Sequence, residues 1–326
     1  MPPDQRLETV DVLTFAGPGK PLAYHVPPKL GTAAIGSLVR VPVGNRTTLG
    51  IIKGPATETP ASGLRNVMEI CYDVPVMTPT LVQMAVWLKT YYACGYDAVL
   101  ETMVPAAVRN GVAAAERKLL KVGFPLDDAE LAALRSRAPK QAALYEFLKD
   151  QARALPKAEV LKRIGVSPQS CKTLVEKGIV YEFVEKLQRD AYADELAGAE
   201  AVAAEAPTLT TEQASAVENL LADYTRKDFS VTLLHGVTGS GKTEVYLRLI
   251  QHTLDDGGGV LLLVPEVALT PQTVSRVRNR LDAKGIRAVV WHSHLSAGER
   301  FDAWMALARQ EARVVVGARS AVFAPV

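Results

Sequence analysis

Three patterns along the 326 residues predict a multidomain chain. The first is a run of short strands broken by glycine and proline and closed by an amphipathic helix. The second is a set of helices joined by a tight turn and followed by a strand-like segment. The third is a strand–helix alternation that fills the last third of the chain. Together they describe a small β-barrel-like N-terminal domain, a winged helix and an open parallel α/β sheet.

Residues 7–15 and 22–26 read as the first two strands, with Pro27-Pro28 as the turn that follows. Residues 37–43 alternate apolar and polar side chains, and Gly44-Asn45-Arg46 reads as a hairpin turn into a strand over 47–52. Thr78 and Pro79 have the chemistry of an N-cap and a first helical position. Leu81, Met84, Ala85, Leu88, Tyr91 and Tyr92 then recur at helical spacing, which predicts a helix packed on the sheet and a domain ending near residue 110. Tyr91 and Tyr92 offer rings that stack on bases, but at this spacing they read as packing residues.

The stretch 111–190 carries helices over 140–150 and 157–164, the second ended by Gly165. Ser167-Pro168 starts a third helix, Gly178 stops it, and 179–184 is strand-like. This outline is that of a winged helix, a module that contacts either DNA or another protein. Residues 191–206 are rich in Ala and Glu and read as a linker. From Pro207 onward, strands over 231–234, 260–264, 288–291 and 313–316 alternate with helices over 244–254, 271–284 and 297–309. That is the rhythm of a parallel sheet.

Composition excludes several classes. The 37 Lys and Arg stand against 35 Asp and Glu, giving a net charge of +2 with no segment enriched, so bulk charge does not itself point to nucleic acid. Cys71, Cys94 and Cys171 are far apart and form no C-x-x-C pair, which argues against a zinc ribbon or a disulfide framework. The longest apolar runs are too short to span a bilayer and the start lacks a signal peptide, so the chain reads as cytoplasmic, with no membrane partner.

The strongest motif is Gly236-Val237-Thr238-Gly239-Ser240-Gly241-Lys242-Thr243, followed by Glu244. It fills G-x-x-x-x-G-K-[ST] between an expected strand and an expected helix. The glycines let backbone N–H groups approach phosphate oxygens. Lys242 reaches the β- and γ-phosphates, and the Thr243 hydroxyl ligates Mg²⁺. These two are the candidate catalytic residues, and ATP with Mg²⁺ is the implied cofactor. Gln213, ahead of the loop, offers a side-by-side donor and acceptor that suit an adenine edge.

Three further segments close strands of the same sheet. Thr270 and Pro271 start a helix, and the Thr270 hydroxyl and Gln272 amide suit a phosphodiester. Arg319 and Ser320 follow the last strand and either hold a phosphodiester or form a solvated loop. His292 and His294 lack an evident third metal ligand and read as structural.

Taken together, the phosphate loop with Glu244-Val-Tyr246, Pro265-Glu266…Leu269-Thr-Pro-Gln272, His292-Ser293…Glu299-Arg300…Trp304 and Gly317-Ala-Arg-Ser320…Phe323-Ala-Pro325 resemble one family closely. It is the PriA family of bacterial replication-restart helicases, also called primosomal protein N′. The N-terminal part resembles it through Val39-Arg-Val-Pro42…Gly50-Ile51 and Tyr91-Tyr92…Pro105. The resemblance implies a 3′-DNA-end-binding domain over 1–110, a fork-touching winged helix over 111–190 and an incomplete RecA-like P-loop helicase lobe over 207–326. It implies an ATP-dependent 3′→5′ DNA helicase that binds stalled forks and starts primosome assembly at the nucleoid. Forked and single-stranded DNA, primosome proteins and single-strand-binding protein are its implied partners. Tyr24 is the implied contact to the DNA 3′ end, although Ala23 stands where the family carries an acidic residue. The family's D-E-E-H box, zinc-binding cysteines and second lobe fall beyond residue 326. That implies no zinc site here, weak ATP hydrolysis and exposed sheet edges. Two other readings stay open: a fork-binding module that does no work, and an unrelated phosphate-loop NTPase carrying a winged helix.

Overall fold

The computed structural model describes residues 7–58, 63–112, 115–187, 189, 207–266, 274, 278–279, 281 and 286–326. The expected linker over 191–206 and the segment holding Thr270 and Gln272 lie outside the described residues. The chain divides into two compact units, Met1–Val112 with Arg189–Val326, and Ala113–Gln188.

The first unit begins with β1 (Thr9–Thr14), β2 (Leu22–His25), β3 (Leu38–Val43), β4 (Arg46–Pro55), β5 (Arg65–Asn66) and β6 (Glu69–Ile70). They form one sheet in the order β5-β2-β1-β4-β3-β6. The hairpin β3–β4 pairs Val43 with Arg46, so the turn falls where Gly44 and Asn45 predict it. Both faces of the sheet are buried. Val10, Val12, Tyr24, Val39, Val41 and Ile52 point into one core. Leu13, Leu38 and Ile51 point into another, as the period of two along a strand requires.

The second of these cores is roofed by α1 (Pro79–Tyr91) and α2 (Tyr96–Met103), with α3 (Ala106–Asn110) following. Thr78 caps α1 by accepting the Leu81 N–H at 3.3 Å, and Pro79 takes the first position. The buried stripe of α1 is Leu81, Val82 and Ala85. Tyr91 and Tyr92 are not packing residues: both are 66% exposed. With Trp87, they lie at the end of the helix, past the stripe that the sheet covers. Trp87 and Tyr91 stack at 4.7 Å, and Tyr92 meets Tyr91 edge-on at 4.9 Å.

The C-terminal part of this unit holds α8 (Thr211–Thr225), α9 (Lys242–Asp255), β10 (Val260–Leu263), β11 (Ala288–Trp291), α10 (Ala297–Ala308) and β12 (Val314–Gly317). The strands are parallel, in the order β10-β12-β11. Residues 231–234, which the apolar run marks as the first strand, form none. Val231 and Leu233 are 84% and 86% exposed and join no ladder. Apolar sequence favours a strand only where a neighbouring strand accepts its backbone hydrogen bonds, and here that neighbour is missing among the described residues.

The parallel sheet and the N-terminal sheet share one core. Trp291, Trp304, Leu307 and Val315 cluster with Leu13, Leu38, Val76 and Leu100. The buried Trp304 indole donates from Nε1 to the Val76 carbonyl at 2.9 Å and lies 5.4 Å from the Trp291 ring. This polar bond inside an apolar cluster fixes one orientation of the ring, because an unpaired indole N–H would be costly there.

The second unit contains β7 (Ala115–Val122), α4 (Asp128–Arg137), α5 (Pro139–Lys149), β8 (Leu155–Pro156), α6 (Lys157–Ile164), α7 (Pro168–Glu176) and β9 (Val180–Leu187). Its sheet runs β8-β7-β9, with β7 and β9 antiparallel over eight paired residues. Gly165 ends α6 in the left-handed conformation, φ 68°, and Ser167 caps α7. Leu120, Leu144, Leu148, Val160, Cys171, Leu174 and Val180 form the core. The helix α4, closed by an Asp127–Glu130 capping box, goes beyond the sequence reading of this stretch.

Candidate nucleotide site and the carboxyl edge of the parallel sheet

The loop 236–241 enters α9 through Gly241, which caps the helix at φ 79°. Gly239 also takes a positive φ, 84°. A side chain at either position would be strained, so the pattern of glycines follows from the path of the backbone. A Cβ at Gly241 would also stand 2.3 Å from Gln213 Nε2. The Lys242 ammonium folds back to donate to the carbonyls of Gly236, at 2.6 Å, and Val237, at 2.8 Å. Val237, Thr238, Gly239 and Ser240 are exposed, and Thr243 is exposed in the first turn of the helix. Its hydroxyl and the first-turn N–H groups stand at the positive end of the α9 dipole.

Glu244 follows the loop in the first turn of α9. Its carboxylate accepts from Arg248 Nε at 3.0 Å, one turn along the helix. Arg248 Nη2 also donates to the Pro207 carbonyl at 3.1 Å. Gln213 closes a capping box with Thr210: its Oε1 accepts the Thr210 N–H at 3.0 Å. Its Nε2 donates to the Ser240 carbonyl at 2.9 Å.

The carboxyl ends of the three strands bring a second group together. Beyond β10 stands Glu266, whose carboxylate accepts from the Ser293 hydroxyl beyond β11. That hydrogen bond, with the neighbouring His294 and Arg319 charges, holds the Glu266 pKa below the usual carboxylate range. Arg300 of α10 donates to the carbonyls of Ser293 at 2.9 Å and Leu295 at 3.2 Å. His292 Nδ1 accepts the His294 N–H at 3.2 Å, and burial pushes the His292 pKa down. Arg319 and Ser320 are exposed after β12, in the 3₁₀ turn Arg319–Phe323. This is the edge at which open parallel sheets bind ligands. The Glu266–Ser293 pair was not anticipated from the sequence. No spacing rule links residues that far apart; only the adjacency of strands through β12 does.

Tyr24 lies elsewhere. It is 2% exposed, and its hydroxyl donates to the Pro42 carbonyl at 2.9 Å. Its ring is part of the sheet's core and is not presented for stacking. Among the described residues, no three His, Cys, Asp or Glu side chains converge on a metal position. No described helix is long and apolar enough to cross a membrane.

Two family models match the chain. Residues 11–105, the six-stranded sheet with α1 and α2, match the 3′ DNA-binding domain (3′BD) of PriA. Residues 210–325, from the α8 cap to the end of the parallel sheet, match the DEAD/DEAH box helicase model. The chain belongs to the PriA family. It is 42% identical over 194 residues to the replication restart protein PriA of Bacillus subtilis (strain 168), covering 59% of this chain and 23% of that protein. PriA of Haemophilus influenzae (strain ATCC 51907 / DSM 11121 / KW20 / Rd) is 32% identical over 307 residues, 92% of this chain and 40% of the relative. PriA of Chlamydia muridarum (strain MoPn / Nigg) is 29% identical over 322 residues, 97% and 42% of the two chains. The PriA-family chain thus spans less than half the length of these relatives.

Proposed function

We propose that this chain is the DNA-recognising and nucleotide-binding part of a replication-restart helicase, an ATP-dependent 3′→5′ DNA motor that acts at stalled forks and starts primosome assembly. The observation that carries the reading is the coincidence of the PriA 3′ DNA-binding model with the N-terminal sheet and of the helicase model with a complete phosphate loop. Residues Gly236–Thr243 would cradle the phosphates, Lys242 would turn from its loop carbonyls to the β- and γ-oxygens, and Thr243 would ligate Mg²⁺. Glu244 closes the first turn behind the loop, its backbone N–H donating to the Gly241 carbonyl at 2.9 Å.

Forked and single-stranded DNA are the proposed partners. Arg319 and Ser320 offer a cation and a hydroxyl to a phosphodiester at the carboxyl edge, with Thr270 and Gln272 as neighbours in sequence logic. Tyr24 serves by holding β2 against the Pro42 carbonyl, so that any 3′-end pocket draws on the surface around it. The unit Ala113–Gln188 is read as a winged helix, with α6, the Gly165 turn and α7 as the helix–turn–helix and β7–β9 as the wing; α7 exposes Gln169 and Lys172. Primosome proteins and single-strand-binding protein enter as partners by family.

The metal in phosphate-loop ATPases is also held by a carboxylate that follows a buried strand. In this chain the carboxylate beyond β10, Glu266, is already bonded to Ser293. ATP is therefore expected to bind and to turn over slowly. The test is ATP binding and hydrolysis, with and without forked DNA, beside Lys242→Ala. Fork binding with background turnover supports the reading, together with ATP binding that is lost in the variant. Strong DNA-stimulated hydrolysis abolished by Lys242→Ala would overturn the slow-turnover part.

A further inference from the structure

The sheet of the unit Ala113–Gln188 has one face in the core and one outside it. Leu120, Val122 and Val180 join the core. With a period of two along each strand, the register of β7 and β9 puts Arg117, Lys121, Tyr181 and Phe183 on the other face. Tyr181 and Phe183 are exposed there, and so is Phe124, just past the end of β7. Two glycines seat the rings at that end. A Cβ at Gly178 would stand 3.4 Å from the Phe124 ring, and one at Gly123 would stand 3.3 Å from the Tyr181 ring. Each ring therefore rests against backbone on one side, and the two meet edge to face with centroids 6.1 Å apart. Rings held this way lose little freedom when a flat group packs on their open sides. The cations of the unit divide in the same way. Lys118 and Lys157 are both bonded to Glu182, and Lys172 of α7 pairs with Glu176 at 3.7 Å. Among the described residues no ion pair engages Arg117 or Lys121, and Arg117 Nε has no hydrogen-bond partner. Glu185 stands across from Arg117 in the register without pairing with it.

We infer that this outer sheet face is a stacking surface for single-stranded DNA; the inference rests on the DNA-binding reading above and names a face for it. The ligand must be unpaired, because the bases of a duplex already have both faces covered by their neighbours. A base of a single strand has a free face to lay on Phe124, Tyr181 or Phe183. Arg117 and Lys121, held by no ion pair, supply the positive charge that the phosphates between successive bases require. An apolar peptide would match the rings and leave those two cations without a partner. Every base carries a π-face, so the surface grips a strand without reading its sequence. It is also separate from the helix–turn–helix. Cys171 and Leu174 of α7 belong to the core, which places that helix on the other side of the sheet. A strand on the outer face therefore leaves Gln169 and Lys172 of α7 open to a different contact.

Photo-cross-linking of the whole chain to a short oligothymidylate carrying bromodeoxyuridine, with the adducts mapped by mass spectrometry, tests this site by site. Adducts are expected on Phe124 and Tyr181. Tyr181→Leu keeps an apolar contact with Gly123 but removes the ring. It should raise the DNA concentration that half-saturates the Phe124 adduct by about tenfold, the size of one lost base-stacking contact. Tyr181→Trp, which restores a ring, should leave that concentration near the wild-type value. An abasic strand of the same length, with the same phosphates and no bases, should compete poorly for the Phe124 adduct. Adducts confined to other parts of the chain overturn the inference and leave the DNA-binding reading standing. Competition by the abasic strand equal to that of oligothymidylate, or no change in Tyr181→Leu, overturns it as well. If the wild-type chain binds neither strand, the DNA-binding reading itself fails, and this face falls with it.

Discussion

His292 shows how much a single side chain here depends on its surroundings. Burial, and then the charge of His294, lower its pKa against the opposing pull of Glu266 and Glu299. A histidine with a depressed folded pKa favours the neutral form in the native state. Its contribution to stability is therefore present above the unfolded value of about 6.5 and is lost as pH falls through the lower folded value. Thermal unfolding followed from neutral to mildly acid pH should show a drop that His292→Gln flattens. An equal drop in that variant would assign it to other groups. At this scale the turn into α9 was legible in the sequence, because Gly239 and Gly241 take the positive φ that glycine adopts without strain. The settings of Tyr24, Tyr91 and Tyr92 were not. Alternation identifies a strand without saying that a second core covers its other face, so that Tyr24 is packed on either side. Helical spacing, likewise, does not say how far along α1 the sheet reaches.

Among the elements, boundaries set by local chemistry were readable and those set by pairing were not. Thr78-Pro79 and Ser167-Pro168 start helices in the structure where their capping chemistry says they should. Gly165 stops α6 at φ 68°, with nothing within 4 Å of where a Cβ would stand. Gly165→Ala should therefore cost about 1 kcal/mol through backbone conformation alone. Gly165→Asn should cost less, since asparagine tolerates the left-handed region. Chemical denaturation of the chain separates the two. A larger loss for Asn than for Ala would mean that the turn is held by contacts and not by its dihedral angles. The segment 231–234 is the counterexample. Its apolar side chains satisfy every local criterion for a strand, yet a strand is completed by a neighbour, and no local pattern reports whether one is present.

Taken whole, the molecule exposes what that missing neighbour would cover. Phe229, Val231 and Leu233 are 94%, 84% and 86% exposed, an apolar row in a segment that joins no sheet among the described residues. Concentration-dependent self-association is expected in light scattering, and the double variant Val231→Lys, Leu233→Lys should suppress it. Association unchanged in that variant would point to another surface, the Trp87–Tyr91–Tyr92 aromatics being the next candidate. Elsewhere the chain is better knit than its linear order suggests. The residues up to Val112 and those from Arg189 belong to one compact unit, joined by the Trp304–Val76 bond and the core around it. The polypeptide leaves that body and later returns to it, so Ala113–Gln188 has the standing of a cassette. The core that ties the N-terminal sheet to the parallel sheet is built from the flanking segments alone. The two ends of the chain, by contrast, must change in step.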